Sequence, residues 1–276
     1  MKFDLHCHSY FSDGDLSPAA LVSLAQKREI THLALTDHDT VAGLEAAQIT
    51  AQQYDLTLIN GIELSCTWEN QLLHVLGLNI DPENKALAEI VAQNKQRRLD
   101  RAEQMFVDFE KHEIDLREPV NKLLAGRGNP TRPHFAQALI ELGLAKNKNQ
   151  AFKRYLVRGK PGYIPMQWSE LNEIAQAINE AGGIAVLAHP MRYKFTRTKL
   201  IKLINAMIDV GVRGIEISTP ITDADQQNML TKLALQYDLL ASIGSDFHSP
   251  DQAWARLGSA TELPTSLTPV WTEFNH

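Results

Sequence analysis

Short apolar runs alternate with amphipathic stretches along most of this chain, and nearly every apolar run carries a histidine or a carboxylate near its C-terminal end. Lys2–His6, Thr31–Asp39, Leu56–Cys66, Gln71–Ile80, Gly182–Pro190, Val212–Ser218 and Leu239–His248 read as strands. Helices are expected between them over Ser17–Arg28, Thr40–Tyr54, Ser169–Ala181, Leu200–Val210 and Ala224–Tyr237. Ser17 is placed as an N-cap, with Pro18 at the first helical position. Such alternation suggests parallel strands joined by crossover helices. The α/β fold class it implies is a distorted seven-stranded β/α barrel, with an open doubly wound sheet as the alternative. The pattern breaks at Asp81-Pro82. From Glu83 to Pro165 the chain reads as helices and loops, with a long helix over Asn94–His112, a loop over Gly126–Phe135 and a short helix over Ala136–Leu142. The expected organisation is therefore a first barrel part, 1–82, a helical insertion covering the active site, 83–165, and a second barrel part, 166–276, with an irregular tail from Ala260.

Composition narrows the function classes. A formal charge of −6 argues against a surface that is sticky to nucleic acid all over, though not against a local basic pocket. No apolar run reaches the ~18 residues of a membrane-spanning helix. The opening MKFDLHCHSYFSDGD lacks the apolar core of a secretory signal. Two cysteines, Cys7 and Cys66, make no disulfide framework, so a cytoplasmic location is expected, with no membrane and no obligate protein partner.

In β/α barrels, reactive groups collect at the C-terminal ends of the strands. Here those ends offer His6 and His8, Asp37, His38 and Asp39, Glu63, His74, His189, Glu216, and Asp246 and His248, with Asp13 in the loop after the first strand. Each has an ordinary structural reading alone, as a cap or a turn residue. All of them gathering at one end of one barrel makes the joint coincidence improbable. Residues two apart in extended chain face the same side, so His6 and His8 can grip one ion, as can Asp246 and His248, while Cys7 should face away. Imidazole with carboxylate and no thiolate suits Zn²⁺, Mn²⁺ or Fe²⁺. No phosphate-binding P-loop, nucleophile elbow or dinucleotide fingerprint is present.

HCH…D at His6–Asp13, TDHDT at Thr36–Thr40, GIE at Gly61–Glu63, AHP at Ala188–Pro190 and GSDFH at Gly244–His248 resemble the PHP (polymerase and histidinol phosphatase) family of metal phosphoesterases. The resemblance implies a seven-stranded barrel holding up to three divalent ions, Mn²⁺ first, with Zn²⁺ or Fe²⁺ as alternatives. It assigns His6, His8, Glu63 and Asp246 to a first metal site, Asp13, His38 and His248 to a second, and Glu63, His74 and His189 to a third. CTWEN (Cys66–Asn70), RRLDR (Arg97–Arg101), TRPHFA (Thr131–Ala136), RGKPGYIP (Arg158–Pro165) and AHPMRY (Ala188–Tyr193) resemble the bacterial 3′,5′-nucleoside bisphosphate phosphatases, a group that includes a 5′-to-3′ exoribonuclease. The implied substrates are nucleoside 3′,5′-bisphosphates and short 5′-phosphorylated RNA. Water activated by the ions would attack phosphorus in line, so no protein nucleophile is required. His134 is the candidate general acid or phosphate contact. Arg97, Arg98, Arg101 and Arg132, whose guanidinium groups can hold phosphate bidentately, are candidates for the second phosphate. Two other readings stay open: a different phosphatase of the family, such as one acting on histidinol phosphate, and a metal-binding module without catalysis.

Overall fold

The computed structural model describes residues 1–126 and 128–274. Arg127, in the expected loop Gly126–Phe135, and the last two residues of the expected tail lie outside the described residues. The elements run β1 (Phe3–Asp4), α1 (Pro18–Lys27), β2 (His32–Leu35), α2 (Leu44–Ala51), β3 (Thr57–Trp68), β4 (Gln71–Leu78), α3 (Lys85–Glu110), α4 (Arg117–Leu124), α5 (Arg132–Glu141) and α6 (Lys148–Ala151). A π-helical turn, Phe152–Leu156, follows α6; then come β5 (Ser169–Glu170), α7 (Leu171–Glu180), β6 (Ile184–Leu187), α8 (Arg197–Asp209), β7 (Gly214–Ser218), α9 (Ala224–Gln236) and β8 (Leu240–Ile243). Among the described residues no strand lies between Leu78 and Ser169. Ser17 caps α1 as its sequence signal implies, its side chain accepting from the Ala20 amide at 3.1 Å.

Seven strands form one sheet in the order β1-β2-β3-β4-β6-β7-β8, while the two-residue β5 pairs with β3 off this path. Backbone bonds from Leu5 to Ile243 (3.1 Å), from Asp246 to His6 (2.8 Å) and from His8 to Phe247 (2.9 Å) bring β8 round to β1, so the sheet is an all but closed barrel rather than an open one. Not every pair is parallel, contrary to the sequence expectation. β4 runs antiparallel to both β3 and β6. The cause is the two-residue turn Glu69-Asn70, with φ of 47° and 58°. A parallel crossover needs about a dozen residues or more, so a link this short can only make a hairpin. A second correction concerns Gly126–Phe135: helix α5 already begins at Arg132.

The core is layered. Leu5, Ala34, Ile59, Leu76, Val186 and Leu240 come from strands all around the ring and meet inside it. Alternate residues of the same strands, such as Leu33, Leu35, Val75 and Ala185, face outward against the helices. α3 spans two environments: Leu87 and Ile90 pack with α7 in the barrel's outer core, while Met105, Phe106 and Phe109 join Val120, Phe135 and Leu139 in a separate cluster. Gly244, just after β8, lets the backbone approach the site, since a Cβ there would lie 2.2 Å from the Cβ of His6. Gly128, at φ +66°, brings the loop before α5 against the Phe11 carbonyl, which a Cβ would meet at 2.5 Å.

Candidate metal centre

Past Asp4 the first strand's path stays extended, which puts His6 and His8 on one side; both are fully buried. Cys7 points the other way into the outer core, its thiol donating to the Ala34 carbonyl at 3.1 Å. The middle of the site is Glu63. Its Oε2 lies 3.3 Å from His6 Nε2, 3.3 Å from His8 Nε2 and 3.0 Å from His38 Nδ1. Its Oε1 lies 3.0 Å from both His74 Nδ1 and His189 Nε2, which are 3.3 Å from each other. Asp246 Oδ1 is 3.4 Å from His6 Nε2 and 3.2 Å from His8 Nε2. Asp13 Oδ1 faces His248 Nε2 at 3.3 Å, and Asp13 Oδ2 faces His38 Nε2 at 3.8 Å. All nine residues expected to hold metal therefore converge.

Their grouping differs in detail from the expected partition. Three sets bring donor atoms within 4.8 Å of one another: His6, His8, Glu63 and Asp246; His8, Asp13, His38 and His248; and His38, Glu63 and His74. His8 thus belongs to two sets, and His38 joins Glu63 and His74. Nor do all the groups sit at C-terminal strand ends. Glu63 is in the middle of β3, and His74 lies early in β4, because the antiparallel strand starts at the mouth.

A cation site should leave buried donor atoms without a hydrogen-bond partner in the protein. His6 Nε2, Asp13 Oδ1, His38 Nδ1, Glu63 Oε2 and His189 Nδ1 are all buried without a hydrogen-bond partner. The donor set therefore fits divalent ions. Electrostatics agree. Burial alone would lower His8, but the hydrogen bond to Asp246 and the negative charge of Glu63 outweigh it and lift its pKa to about 10; burial likewise works against a charged His6, and the carboxylates of Glu63, Glu216 and Asp246 raise it. Burial takes His38 down to about 4 against the pull of Glu63 and Asp13. Burial works against ionised Glu63, yet the surrounding imidazoles, His38 first, hold it well below the usual carboxylate range.

A second layer holds these groups. Glu216, 1% exposed, accepts from His6 Nδ1 at 3.1 Å and from the His189 amide at 2.6 Å. Asp37 accepts from the Ser9 amide (2.7 Å), the Ser9 hydroxyl (2.6 Å) and the Ser12 hydroxyl (2.7 Å), pinning the loop that carries Asp13. The Tyr193 hydroxyl accepts from the His74 amide at 2.9 Å and donates to the Ala188 carbonyl at 3.1 Å, tying β4 to the turn that bears His189. Asp37 and Glu216 stand out in the sequence as acids within or at the end of apolar runs, but nothing there separates a ligand from a residue that orients one.

The four arginines divide. Arg98 is not free to hold phosphate: its Nε donates to Asp39 at 2.7 Å and its guanidinium lies 5.1 Å over Trp168. Arg97 turns to Asn94 (3.1 Å) and Ser169 (2.6 Å), outside the cleft that Arg101 lines. Arg101 and Arg132 line a small cleft with Arg98, Thr131 and Trp168. Arg101 Nε is buried without a partner, and burial beside Arg132 and Arg98 brings the group down to about 9. His134 caps α5: its Nδ1 accepts from the Thr131 amide at 3.1 Å and its hydroxyl at 2.7 Å, leaving the ring proton on Nε2.

The PHP domain profile matches residues 4–182, more than half of the chain. The chain belongs to the PHP family. It is 40% identical over 273 residues to a 5′-3′ exoribonuclease of Haemophilus influenzae, covering 99% of each chain. It is 37% identical over 275 residues to a 3′,5′-nucleoside bisphosphate phosphatase of Chromobacterium violaceum, covering 99% of this chain and 96% of the relative. The crystal structure of an amidohydrolase from Chromobacterium violaceum, with bound sulfate and no metal, superposes with a TM-score of 0.92 at 36% identity, covering 99% of this PHP chain and 96% of the other.

Proposed function

We propose that this PHP protein is a metal-dependent phosphoesterase that removes the 3′-phosphate of nucleoside 3′,5′-bisphosphates and releases nucleotides one at a time from the 5′ end of 5′-phosphorylated RNA. The observation that carries the reading is Glu63 ringed by five imidazoles, with an arginine cleft close by. In this reading the nine converging residues hold up to three divalent ions, Mn²⁺ first, with Zn²⁺ or Fe²⁺ admitted by the same donors. Such ions supply Lewis acidity toward phosphoryl oxygens and activate water for attack on phosphorus at neutral pH. Three of them against Glu63, Asp13 and Asp246 would leave roughly three positive charges, which draws a phosphate dianion despite the acidic total.

The chain's own groups then position and protonate. Arg101 and Arg132 hold the 5′-phosphate, which fixes the 3′-phosphorus at the cluster. The His134 Nε2–H donates to the leaving 3′ ribose oxygen or to the phosphate. A bisphosphate and the first nucleotide of an RNA strand offer the same two phosphates, so one pocket serves both. Residues 83–165 act as an insertion that covers the site, a reading supported by their own apolar cluster and by their supplying Arg101, Arg132 and His134. No helix among the described residues is long and apolar enough to cross a membrane, and the buried free thiols Cys7 and Cys66 suit a reducing cytoplasm.

The test is turnover of 3′-phosphoadenosine 5′-phosphate against histidinol phosphate, with chelator controls, paired with 5′-phosphorylated against 5′-hydroxyl oligonucleotides. Preference for the bisphosphate and the 5′-phosphorylated strand is expected. Faster turnover of histidinol phosphate, or equal rates on both strands, would remove the anchor.

A further inference from the structure

From Ala181 to Ile208 this chain, acidic overall, has no Asp or Glu, and Arg192, Lys194, Arg197, Lys199 and Lys202 fall within eleven positions of it. That run starts three residues after His189 and extends through the 3₁₀ turn Pro190–Tyr193 into α8. It touches the metal centre directly, because Arg192 forms an ion pair with Asp246. Lys194 and Arg197 are exposed and have no carboxylate partner among the described residues; Lys199 lies 4.6 Å over Phe195 and 5.8 Å over Trp68. Lys202, at the outer end, is paired with Glu69.

The run and the arginine cleft follow different strands of the sheet. The cleft stands over β2 and β3, since its Arg98 binds Asp39 and Ser65. The run follows β6, which β4 separates from β3 in the sheet order. A strand anchored by its 5′-phosphate in the cleft, with its next phosphate at the centre, can leave along this run, which adjoins the centre at Arg192. We propose that Lys194, Arg197 and Lys199 form a track for the sugar-phosphate backbone of single-stranded RNA beyond the first nucleotide. This rests on the phosphoesterase reading above and deepens it, since a mononucleotide bisphosphate ends at the centre and never reaches these side chains. Cations along an exposed segment beside aromatic rings bind single strands through phosphate neutralisation, with little sequence preference.

The experiment compares wild type with Lys194→Gln/Arg197→Gln/Lys199→Gln, and with a charge-matched control, Lys27→Gln/Lys122→Gln/Lys232→Gln. KM is measured for a 5′-phosphorylated octaribonucleotide and for a 3′,5′-bisphosphate over a salt series. Octamer KM should rise about tenfold at low salt, and its log–log salt slope should fall by about 2, at ~0.7 per lost contact. Bisphosphate kcat/KM should stay within about twofold, as should both substrates in the control. An unchanged octamer KM and slope would overturn the track, as would an equal loss on the bisphosphate. Fluorescence anisotropy with a 3′-labelled octamer reads the track independently of cleavage. A wild type inert on both substrates would sink the phosphoesterase reading, and unchanged anisotropy in the triple variant would sink the track by itself.

Discussion

Glu216 shows how one side chain decides what its neighbours can do. Its carboxylate accepts a hydrogen bond from His6 Nδ1–H, which turns Nε2 toward Glu63 and Asp246. Its other oxygen holds the amide of His189, a residue at φ 31° ahead of Pro190. Groups that orient metal-binding histidines typically contribute ten- to hundredfold in affinity. Glu216→Gln can keep only one of the two bonds, so metal affinity by calorimetric titration should fall at least about tenfold with the circular dichroism spectrum unchanged. Arg101→Ala should raise KM for a 3′,5′-bisphosphate by about 10- to 100-fold, as loss of a charged hydrogen bond of ~1.5–3 kcal/mol requires. The same variant should leave a 3′-monophosphate, which lacks the second anionic group, unaffected in steady-state assays.

At the scale of elements, the first turn of α5 joins stability to chemistry through His134. Its Nδ1 closes a capping box with Thr131, the place where Glu or Gln usually serves. His134→Gln should therefore preserve the cap and the melting temperature but lose a proton donor, whereas His134→Ala should also lose about 0.5–2 kcal/mol. A Gln variant with full activity would show that the cap is the whole role. Burial lowers the pKa of His134 in the folded state. Its contribution to stability is therefore complete above the unfolded value near 6.5 and is lost as pH falls toward the lowered folded value. Thermal melts of wild type should show more destabilisation than His134→Gln as pH falls below about 6.5. The β3–β4 hairpin belongs to this scale too: it brings His74 Nδ1 within 3.0 Å of Glu63 although ten residues separate them in the chain.

For the whole molecule, the clustered charges predict how metal and fold depend on each other. His6 and His8 are held protonated in the metal-free state, so ions must displace protons as they bind. Calorimetry at pH 7 in buffers of different ionisation enthalpy should show proton release, and affinity should weaken as pH falls. Ions that bind only the folded chain stabilise it by ~2.7 kcal/mol per site at a hundredfold excess over Kd. Chelation should therefore lower the melting temperature measurably, and restoring Mn²⁺ should recover it. A melting curve indifferent to metal would contradict the proposal that the nine converging residues hold metal ions.

The strand–helix alternation, the seven-strand count, the strand-free middle and the convergent acids and histidines could all be read from the chain, because burial on two faces imposes period and apolar run length locally. The strand direction at β4 was not legible, and the parallel expectation failed there, since direction depends on a two-residue turn whose Glu69 gives only a weak signal for left-handed backbone. Which arginine meets a carboxylate also lay beyond the linear pattern. Arg97, Arg98 and Arg101 look alike in RRLDR, and only folding puts Asp39, 59 residues from Arg98, within reach of one of them. Residue chemistry is local and written in the chain, whereas the pairing of buried charges depends on distances that exist only once the barrel has closed.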